Sequence, residues 1–300
     1  MAKVFITSGT GYIGEAVAKS FKRQGHEVTA LTRSEESAKR VIANGFASHQ
    51  GDVSKPETYI EKLAEFDIVV HTAAVYNESF GAVEKQTAWS IINALKGTNK
   101  TFVYTSGSWV LGNTGDNPAD ENAKTQPIDI IQWRPALEQQ ILEASKQNIR
   151  TIVIRPAIVY GEGGGIFAQL IANAKKSGEA HYVGKAESHW SIVHVEDLAN
   201  LYVLAATKAV AGSLYNAAER KAPQAAEYSQ YVAEAAGVSG KTKSVSLDDA
   251  KKVFGGFAEG LALDQLIDAS RANKDLGWAP KDRKLAEELK VVRKELVVSK

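Results

Sequence analysis

The sequence contains no cysteine, and its 36 basic residues nearly balance its 35 acidic residues, which gives a formal net charge of +1. Without cysteine, disulfide frameworks, thiolate nucleophiles and cysteine-ligated zinc sites are excluded. The basic residues form neither the stripe typical of nucleic-acid binders nor the cationic amphipathic helix typical of membrane-surface binders. We therefore expect no nucleic-acid partner, no membrane partner and no metal site.

Long apolar runs are also missing, since no stretch approaches the roughly 18 residues of a membrane span. The first ten residues, MAKVFITSGT, enter a strand pattern and a turn directly, without the apolar core and small-residue cleavage site of a signal peptide. Apolar residues make up 44% of the chain and charged residues 24%, as is ordinary in globular proteins. These features predict a soluble, cytoplasmic protein with enough chain for one large or two modest domains.

Short β-branched segments alternate with longer amphipathic segments in the first half of the chain. The strand candidates are 4–7, 28–32, 47–50, 68–71, 102–105 and 151–154. The helix candidates are 13–24, 35–43, 58–64, 83–95 and 136–146. This alternation predicts βαβ units, and hence an α/β fold of the Rossmann type, a doubly wound parallel sheet covered on both faces.

Three glycines, Gly9, Gly11 and Gly14, stand in G-x-G-x-x-G spacing between the first predicted strand and the first predicted helix. A turn without Cβ atoms lets the backbone approach a pyrophosphate, and the following helix offers free N–H groups to it. The spacing alone is weak evidence, because a chance match or a plain tight turn gives the same pattern. Its place after a strand and before a helix favours a dinucleotide site.

The second predicted strand ends in LTRS (31–34), where a dinucleotide enzyme reads the adenosine ribose. An acidic residue there would bind a ribose 2′-hydroxyl and repel a 2′-phosphate. Arg33 instead offers a guanidinium suited to phosphate, with Ser34 as a small donor beside it. An exposed arginine at a strand end is the alternative. We predict NADP(H) as the cofactor and regard NAD as less favoured.

Other predicted strand ends should line the same crevice. Asp52 in GDVS (51–54) is suited to accept from an adenine amino group, although an Asx turn or a helix cap before Pro56 is the alternative. The predicted cofactor-binding residues are Thr7, Gly9, Thr10, Gly11, Tyr12, Ile13, Gly14, Arg33, Ser34, Asp52, Val53, Thr72, Ala73, Ala74, Thr105, Ser106, Arg134, Pro156, Ala157 and Ile158.

The strand–helix alternation loosens after Tyr160, where GEGGG (161–165) forms a flexible corner, and the chain from Glu219 is mostly helical and charge-rich. We assign residues 1–160 and 190–218 to the NADP-binding Rossmann domain. Residues 161–189 and 219–300 are assigned to a smaller, mostly helical substrate-binding cap.

Seven segments resemble, in the right order, motifs of the short-chain dehydrogenase/reductase superfamily, in its extended or atypical, epimerase/dehydratase-like branch. They are TSGTGYIG (7–14), GDVS (51–54), HTAA (71–74), FVYTSGSWVLG (102–112), IRPAIVYGEGG (154–164), HWSIVHVEDLANLYVLA (189–205) and ASRANKDLGWAP (269–280). The resemblance covers almost the whole chain. It implies an NAD(P)-dependent oxidoreductase with a small-molecule substrate, in a family in which homodimers are common.

The resemblance also implies a catalytic Tyr-x-x-x-Lys pair and a serine, and this chain departs from all three. When Glu138 is aligned with the family's glutamate, Arg134 stands at the lysine and Ile130 at the tyrosine, while Gly107 stands at the serine. In the family the tyrosine exchanges the proton, the lysine lowers its pKa and holds the ribose, and the serine orients the carbonyl. The usual acid/base group is therefore missing.

Three residues are candidates for the catalytic work. Arg134 can hold ribose hydroxyls or stabilise an oxyanion, but its pKa above about 12 makes it a poor proton donor. Ser108, at the end of the fifth predicted strand, and Tyr76, just beyond the fourth, are candidate donors, with loop or packing roles as alternatives.

Without the tyrosine, we expect reduction of an activated substrate, such as a conjugated carbonyl, a C=C bond, an imine or a quinone. The alternative is a catalytically silent NADP-binding redox sensor or assembly protein. A sugar-nucleotide epimerase or dehydratase is less favoured, because those reactions also depend on the tyrosine.

Overall fold

A computed structural model describes residues 1–291, and the centre of the fold is a parallel sheet of seven strands. The strands in chain order are β1 (Lys3–Ile6), β2 (Glu27–Thr32), β3 (Ala47–Gln50), β4 (Ile68–His71), β5 (Thr101–Thr105), β6 (Arg150–Pro156), β7 (Ile158–Tyr160), β8 (Ala180–Val183), β9 (Ile192–His194), β10 (Ser213–Ala217) and β11 (Thr242–Val245). The large sheet has the order β10-β6-β5-β4-β1-β2-β3. The predicted α/β fold with a doubly wound parallel sheet is confirmed, and the strand order reverses between β1 and β4, where such sheets bind their ligands.

Helices cover both faces of the sheet and build the second half of the chain. They are α1 (Tyr12–Arg23), α2 (Glu35–Ala43), α3 (Phe80–Leu95), α4 (Arg134–Glu143), α5 (Gly165–Ser177), α6 (Val195–Lys208), α7 (Ala225–Ala236), α8 (Leu247–Phe254), α9 (Phe257–Leu261), α10 (Ser270–Leu276) and α11 (Leu285–Glu288). The predicted helix 58–64 is wrong, because that segment forms two 3₁₀ turns, Pro56–Thr58 and Glu61–Glu65. Every helix within residues 1–291 is too short or too polar to span a bilayer.

Two apolar clusters hold the helices on the sheet. On one face, Val17 and Phe21 of α1 are fully buried together with Leu198 of α6. On the other, Ile91 of α3 and Ile141 of α4 are fully buried. The i, i+4 spacing of the first pair puts both side chains on one helical face, which is why α1 can lie flat on the strands.

A third apolar cluster lies in the later part of the chain. Its centre is Trp190, whose ring stacks on Tyr228 of α7 at 4.0 Å and meets Phe167 of α5 at 5.8 Å. Two small parallel sheets, β7 with β9 and β8 with β11, belong to the same region. The division into a cofactor domain and a cap stays our interpretation, and its residues 292–300 lie outside the described residues.

Candidate active site

The glycine turn between β1 and α1 is packed so closely that side chains would not fit. A Cβ atom on Gly9 would overlap the Cβ of Ala30, and one on Gly14 would lie 2.8 Å from Thr72 Oγ1. Gly11 is the N-cap of α1 in extended conformation, and no side chain of residues 1–291 caps the helix there. The first N–H groups of α1 therefore stay available to an anion, and the helix dipole favours one.

The ends of β1 and β4 are joined by one hydroxyl. Thr7 Oγ1 accepts hydrogen bonds from the backbone N–H groups of Thr72 and Ala73, at 3.1 Å each, and lies 3.0 Å from Nδ1 of His71. Thr72 Oγ1 is buried and has no hydrogen-bond partner in residues 1–291. The switch point thus has a hydrogen-bonded backbone and one buried polar atom without a partner in residues 1–291.

Below this point, buried polar groups continue from His71 to α3. Glu84 of α3 accepts hydrogen bonds from His71 Nε2 at 3.2 Å and from the Tyr104 hydroxyl at 2.8 Å. Burial acts to raise the pKa of Glu84, but the attraction and hydrogen bond of His71 outweigh it and hold the pKa below its ordinary value. Glu84 is therefore a buried carboxylate, and it was not recognised in the sequence because α3 gave no motif.

The predicted 2′-phosphate site lies at the end of β2. Arg33 is exposed there and makes no hydrogen bond or ion pair within residues 1–291. Ser34 is the N-cap of α2, and its hydroxyl accepts from Ser37 N at 3.2 Å, so the small donor expected beside Arg33 also starts a helix. Arg33 is the freer of the two groups to receive a phosphate.

Asp52 forms the Asx turn that the sequence left open as an alternative. Its Oδ1 accepts from the backbone N–H of Ser54 at 2.9 Å and from the Ser54 hydroxyl at 2.8 Å. The pKa of Asp52 is lowered mainly by the first of these hydrogen bonds, and the charge of Arg33 contributes in the same direction. The adenine contact stays a prediction.

The segment expected to be the catalytic helix is not one continuous helix. Ile130 lies in a 3₁₀ turn, Asp129–Ile131, and α4 begins only at Arg134. The Ile130 side chain packs so tightly on Gly256 that a Cβ there would overlap Ile130 Cγ2. Gly107, at the serine position, has open space on its side-chain face. The place of the family's tyrosine is thus filled by an aliphatic contact.

Arg134 is 7% exposed and is fixed at the base of the site. Its Nη1 donates to the carbonyl oxygen of Thr105 at 3.2 Å, and its guanidinium lies 5.4 Å from the Phe80 ring centroid and 4.8 Å from that of Trp133. Its Nε is buried without a hydrogen-bond partner in residues 1–291. A buried cation with an unused donor is suited to hold an oxygen atom of a ligand.

Behind Arg134 a buried ion pair holds α4 on β6. Glu138 accepts from Nε of Arg155 at 3.0 Å and also from its Nη2, and the Ser106 hydroxyl donates to the same carboxylate. All three residues are buried. The glutamate that marks this helix is therefore structural. The Ser106 hydroxyl proton and backbone N–H are both already donated, so Ser106 could only accept a hydrogen bond from a cofactor.

The two candidate proton donors have different surroundings. Ser108 is 2% exposed and donates to Gln265 Oε1 at 2.8 Å, while Gln265 Nε2 donates to the carbonyl oxygen of Ser108. Tyr76 is 67% exposed at the rim of a cleft. Ser108 would have to release Gln265 before it served a substrate, whereas Tyr76 is directly accessible. Gln265 was missed because it lies in a segment interpreted only as charge-rich and helical.

The cleft beside Arg134 has a volume of about 520 Å³. Its walls include Tyr76, Phe80, Ile130, Trp133 and Phe257. Ring edges and faces therefore surround the place where the catalytic tyrosine would stand.

The remaining predicted cofactor residues lie near the carboxyl edge of the sheet. Tyr12 opens α1, and its hydroxyl donates to the carbonyl oxygen of Gly161 at 2.7 Å. Pro156 ends β6, Ala157 donates its N–H to Ala217, and Ile158 begins β7. The glycine turn and the unpartnered Thr72 Oγ1 and Arg134 Nε all fit a bound dinucleotide.

Comparison with known proteins agrees with this geometry. Residues 4–218 match the NAD dependent epimerase/dehydratase family. The Schizosaccharomyces pombe protein "Uncharacterized protein C2A9.02" is 31% identical over 290 residues, which cover 93% of this chain and 95% of that protein. Vestitone reductase of Medicago sativa is 24% identical over 311 residues, which cover 89% and 90% of the two chains. The structure of dTDP-glucose 4,6-dehydratase from Bacillus anthracis in complex with NAD has a TM-score of 0.82 at 16% identity, over 99% of this chain and 98% of that one, a likeness of fold alone.

Proposed function

We propose that this chain, which belongs to the NAD dependent epimerase/dehydratase family and is an NAD(P)-dependent oxidoreductase, uses NADPH to reduce a small activated organic substrate. The substrate class is a conjugated carbonyl, a C=C bond, an imine or a quinone. We further propose that it acts in the cytoplasm on small molecules, and a homodimer stays a prediction.

The observation that carries the proposal is the pairing of a glycine turn with Arg33. The turn leaves the first N–H groups of α1 open to a pyrophosphate, and Arg33 stands at the strand end that faces the adenosine ribose. No acidic side chain occupies LTRS (31–34), so nothing in that segment repels a 2′-phosphate. A free guanidinium there favours NADPH over NADH.

The remaining side chains suit hydride transfer with little acid catalysis. When bound, the reduced dinucleotide supplies the hydride. Arg134 is placed to hold a ribose or substrate oxygen and to stabilise negative charge that develops on it. Tyr76 is the favoured proton donor: partial enclosure raises its pKa, and the nearby charge of Arg134 opposes that rise. Ser108 is the second donor candidate, behind its hydrogen bond to Gln265.

The test is NADPH oxidation, measured with acceptors of each proposed class and with a simple ketone as the comparison. Because a positioned general acid contributes about 10²–10⁴ in rate, a chain without the family's tyrosine should reduce the activated acceptors far faster than the ketone. Failure to oxidise NADPH with every acceptor class would refute the reductase.

A second candidate function is a catalytically silent NADP-binding sensor or assembly protein. It is favoured by one specific observation, that Ile130 and Gly107 stand in place of the proton-transferring tyrosine and the serine. Tight NADPH binding without hydride transfer to any acceptor, together with a protein partner recovered by pull-down, would support this alternative against the reductase.

A further inference from the structure

Five aromatic side chains form a series at the cleft, and four of them, all except Trp109, line it. In spatial order they are Trp109, Phe257, Tyr76, Phe80 and Trp133. The centroids of successive rings lie 5.8, 5.1, 5.1 and 5.3 Å apart, and each ring is tilted or edge-on to the next. These spacings are those of attractive aromatic pairs, so the rings support one another beside the cleft.

The tyrosine in this series has much open surface. Tyr76 is 67% exposed although rings flank it on both sides, at 5.1 Å to Phe80 and 5.1 Å to Phe257. A single apolar residue on a protein surface is common and needs no explanation. Exposed aromatic surface beside a concave site, however, marks a place where an apolar ligand binds. The series therefore offers a stacking surface.

The charges at the cleft decide what kind of molecule can stack there. Among the described residues that line it, Glu78 is the single ionisable side chain besides the Tyr76 phenol, and none is a lysine or an arginine. Arg134 lies behind the rings of Phe80 and Trp133, at the base of the site. A diphosphate would be repelled by the Glu78 carboxylate and would find no lysine or arginine in the described lining to pair with. A neutral molecule would have neither electrostatic cost.

We infer that the cleft binds a flat, uncharged, conjugated acceptor, and that its substrate is a quinone. The inference rests on the proposed reductase function and narrows its substrate class. The aromatic rings bind the planar molecule. No lysine or arginine lines the cleft among the described residues, and Ile130 replaces the family's tyrosine. Both features suit a quinone, which needs neither a phosphate contact nor a strong acid.

The reaction balances without a further reactant. The quinone accepts a hydride, that is two electrons and one hydrogen nucleus, from NADPH, which becomes NADP⁺. The resulting hydroquinone anion takes one proton from solvent, directly or through the Tyr76 phenol, which solvent then reprotonates. A phenolate-type anion is a much weaker base than the alkoxide formed from a simple ketone, so it can be protonated after the transfer.

The test measures binding and turnover separately. Calorimetry follows 1,4-naphthoquinone and UDP-glucose binding to protein saturated with NADP⁺, and NADPH oxidation is followed with 1,4-naphthoquinone against a protein-free reference. We expect naphthoquinone to bind and react, and UDP-glucose to do neither. In Phe257→Leu the KM for naphthoquinone should rise about two- to tenfold, the loss expected for one ring contact, and Phe257→Tyr should restore it. Trp89→Leu, on α3 and outside the cleft, should leave KM unchanged.

The outcomes separate this inference from the proposed function. If NADPH binds and another acceptor is reduced while naphthoquinone neither binds nor reacts, the quinone inference is wrong and the reductase stands. Tighter binding of UDP-glucose than of naphthoquinone, or an unchanged KM in Phe257→Leu, also overturns the inference. If neither dinucleotide binds, the reductase fails and the inference fails with it.

Discussion

The hydroxyl of Thr7 lies 3.0 Å from Nδ1 of His71 while it also accepts the N–H groups of Thr72 and Ala73. A hydroxyl oxygen has two lone pairs, and the two amides use both, so its own proton must point to Nδ1. Nε2, the other ring nitrogen of His71, lies 3.2 Å from the Glu84 carboxylate. One hydroxyl thus orients the His71 ring and holds the backbone at the end of β4.

Replacing Thr7 by valine should remove this arrangement at nearly constant volume. Two amides and a ring nitrogen then lose their partner, which costs about 1–3 kcal/mol for each buried group left unsatisfied. We expect a loss of at least about 2 kcal/mol in the free energy of unfolding, measured by urea denaturation, together with weaker NADPH binding. Thr29→Val, on β2, is the matched control and should change both quantities little. Equal effects of the two variants would contradict the assignment.

Replacing Arg33 by glutamate should reverse the coenzyme preference. Loss of charge-assisted hydrogen bonds to a 2′-phosphate costs about 1.5–3 kcal/mol, roughly 10- to 150-fold in affinity, and the new carboxylate can bind a ribose 2′-hydroxyl. Calorimetry with NADPH and NADH measures both changes. Arg23→Glu makes the same charge change at the far end of α1 and should leave the ratio of the two affinities as it was. A fall in NADPH affinity that is equally large in both variants would show a general charge effect instead.

The buried pair of Glu138 and Arg155 should be far more important for stability than an exposed pair. Arg155→Met leaves the Glu138 carboxylate buried without its cation, which costs about 3–5 kcal/mol, and adding Glu138→Gln should recover part of that loss. The comparison is Lys221→Met, which removes a pair with Asp282 whose side chains are 75% and 81% exposed, and should cost less than about 1 kcal/mol. Urea denaturation gives all three values. A loss below about 1 kcal/mol in Arg155→Met would contradict the structural role.

Glu219 should make the stability depend on pH near neutrality. Burial raises its pKa to about 7, against the hydrogen bonds from Tyr160 and the backbone of His194, while Asp197 adds to the rise and Arg283 opposes it. The folded state therefore holds the proton more tightly than the unfolded chain, so stability is lost as pH rises from about 4.5 through 7.

Replacing Glu219 by glutamine tests that dependence. The amide oxygen can still accept both hydrogen bonds, so Glu219→Gln should raise the free energy of unfolding by about 1–2 kcal/mol at pH 8 and by little at pH 4. Glu187→Gln, at an exposed position, should show no such dependence. Parallel stability curves for wild type and Glu219→Gln between pH 4 and 8 would show that the carboxyl titrates normally.

The sequence predicted the parallel sheet well because the signals there are local. The strands 47–50 and 68–71 and the helix 35–43 have the predicted bounds, because the alternation of strand and helix patterns is read within a few residues. The helix predicted at 58–64 was wrong because this segment forms two 3₁₀ turns. Their apolar residues recur at nearly the same spacing as those of an α-helix. Local periodicity does not separate the two.

Candidate site residues could be proposed from the sequence only where they directly follow predicted strands. Gly9, Gly11, Gly14 and Arg33 are read from the order of strand, turn and helix. Gln265 and Phe257, in contrast, meet Ser108 and Tyr76 across more than 150 residues of chain, and a single sequence has no signal for such contacts. Glu84 was missed for the same reason, since its partners His71 and Tyr104 lie on other elements.

The most direct test of the central claim is calorimetric titration of the purified protein with NADPH and, separately, with NADH. We expect NADPH to bind with a dissociation constant at least about tenfold below that of NADH, because Arg33 adds a phosphate contact at the end of β2. Binding of neither dinucleotide would contradict the reductase and the sensor alike, and tighter binding of NADH would contradict the role given to Arg33.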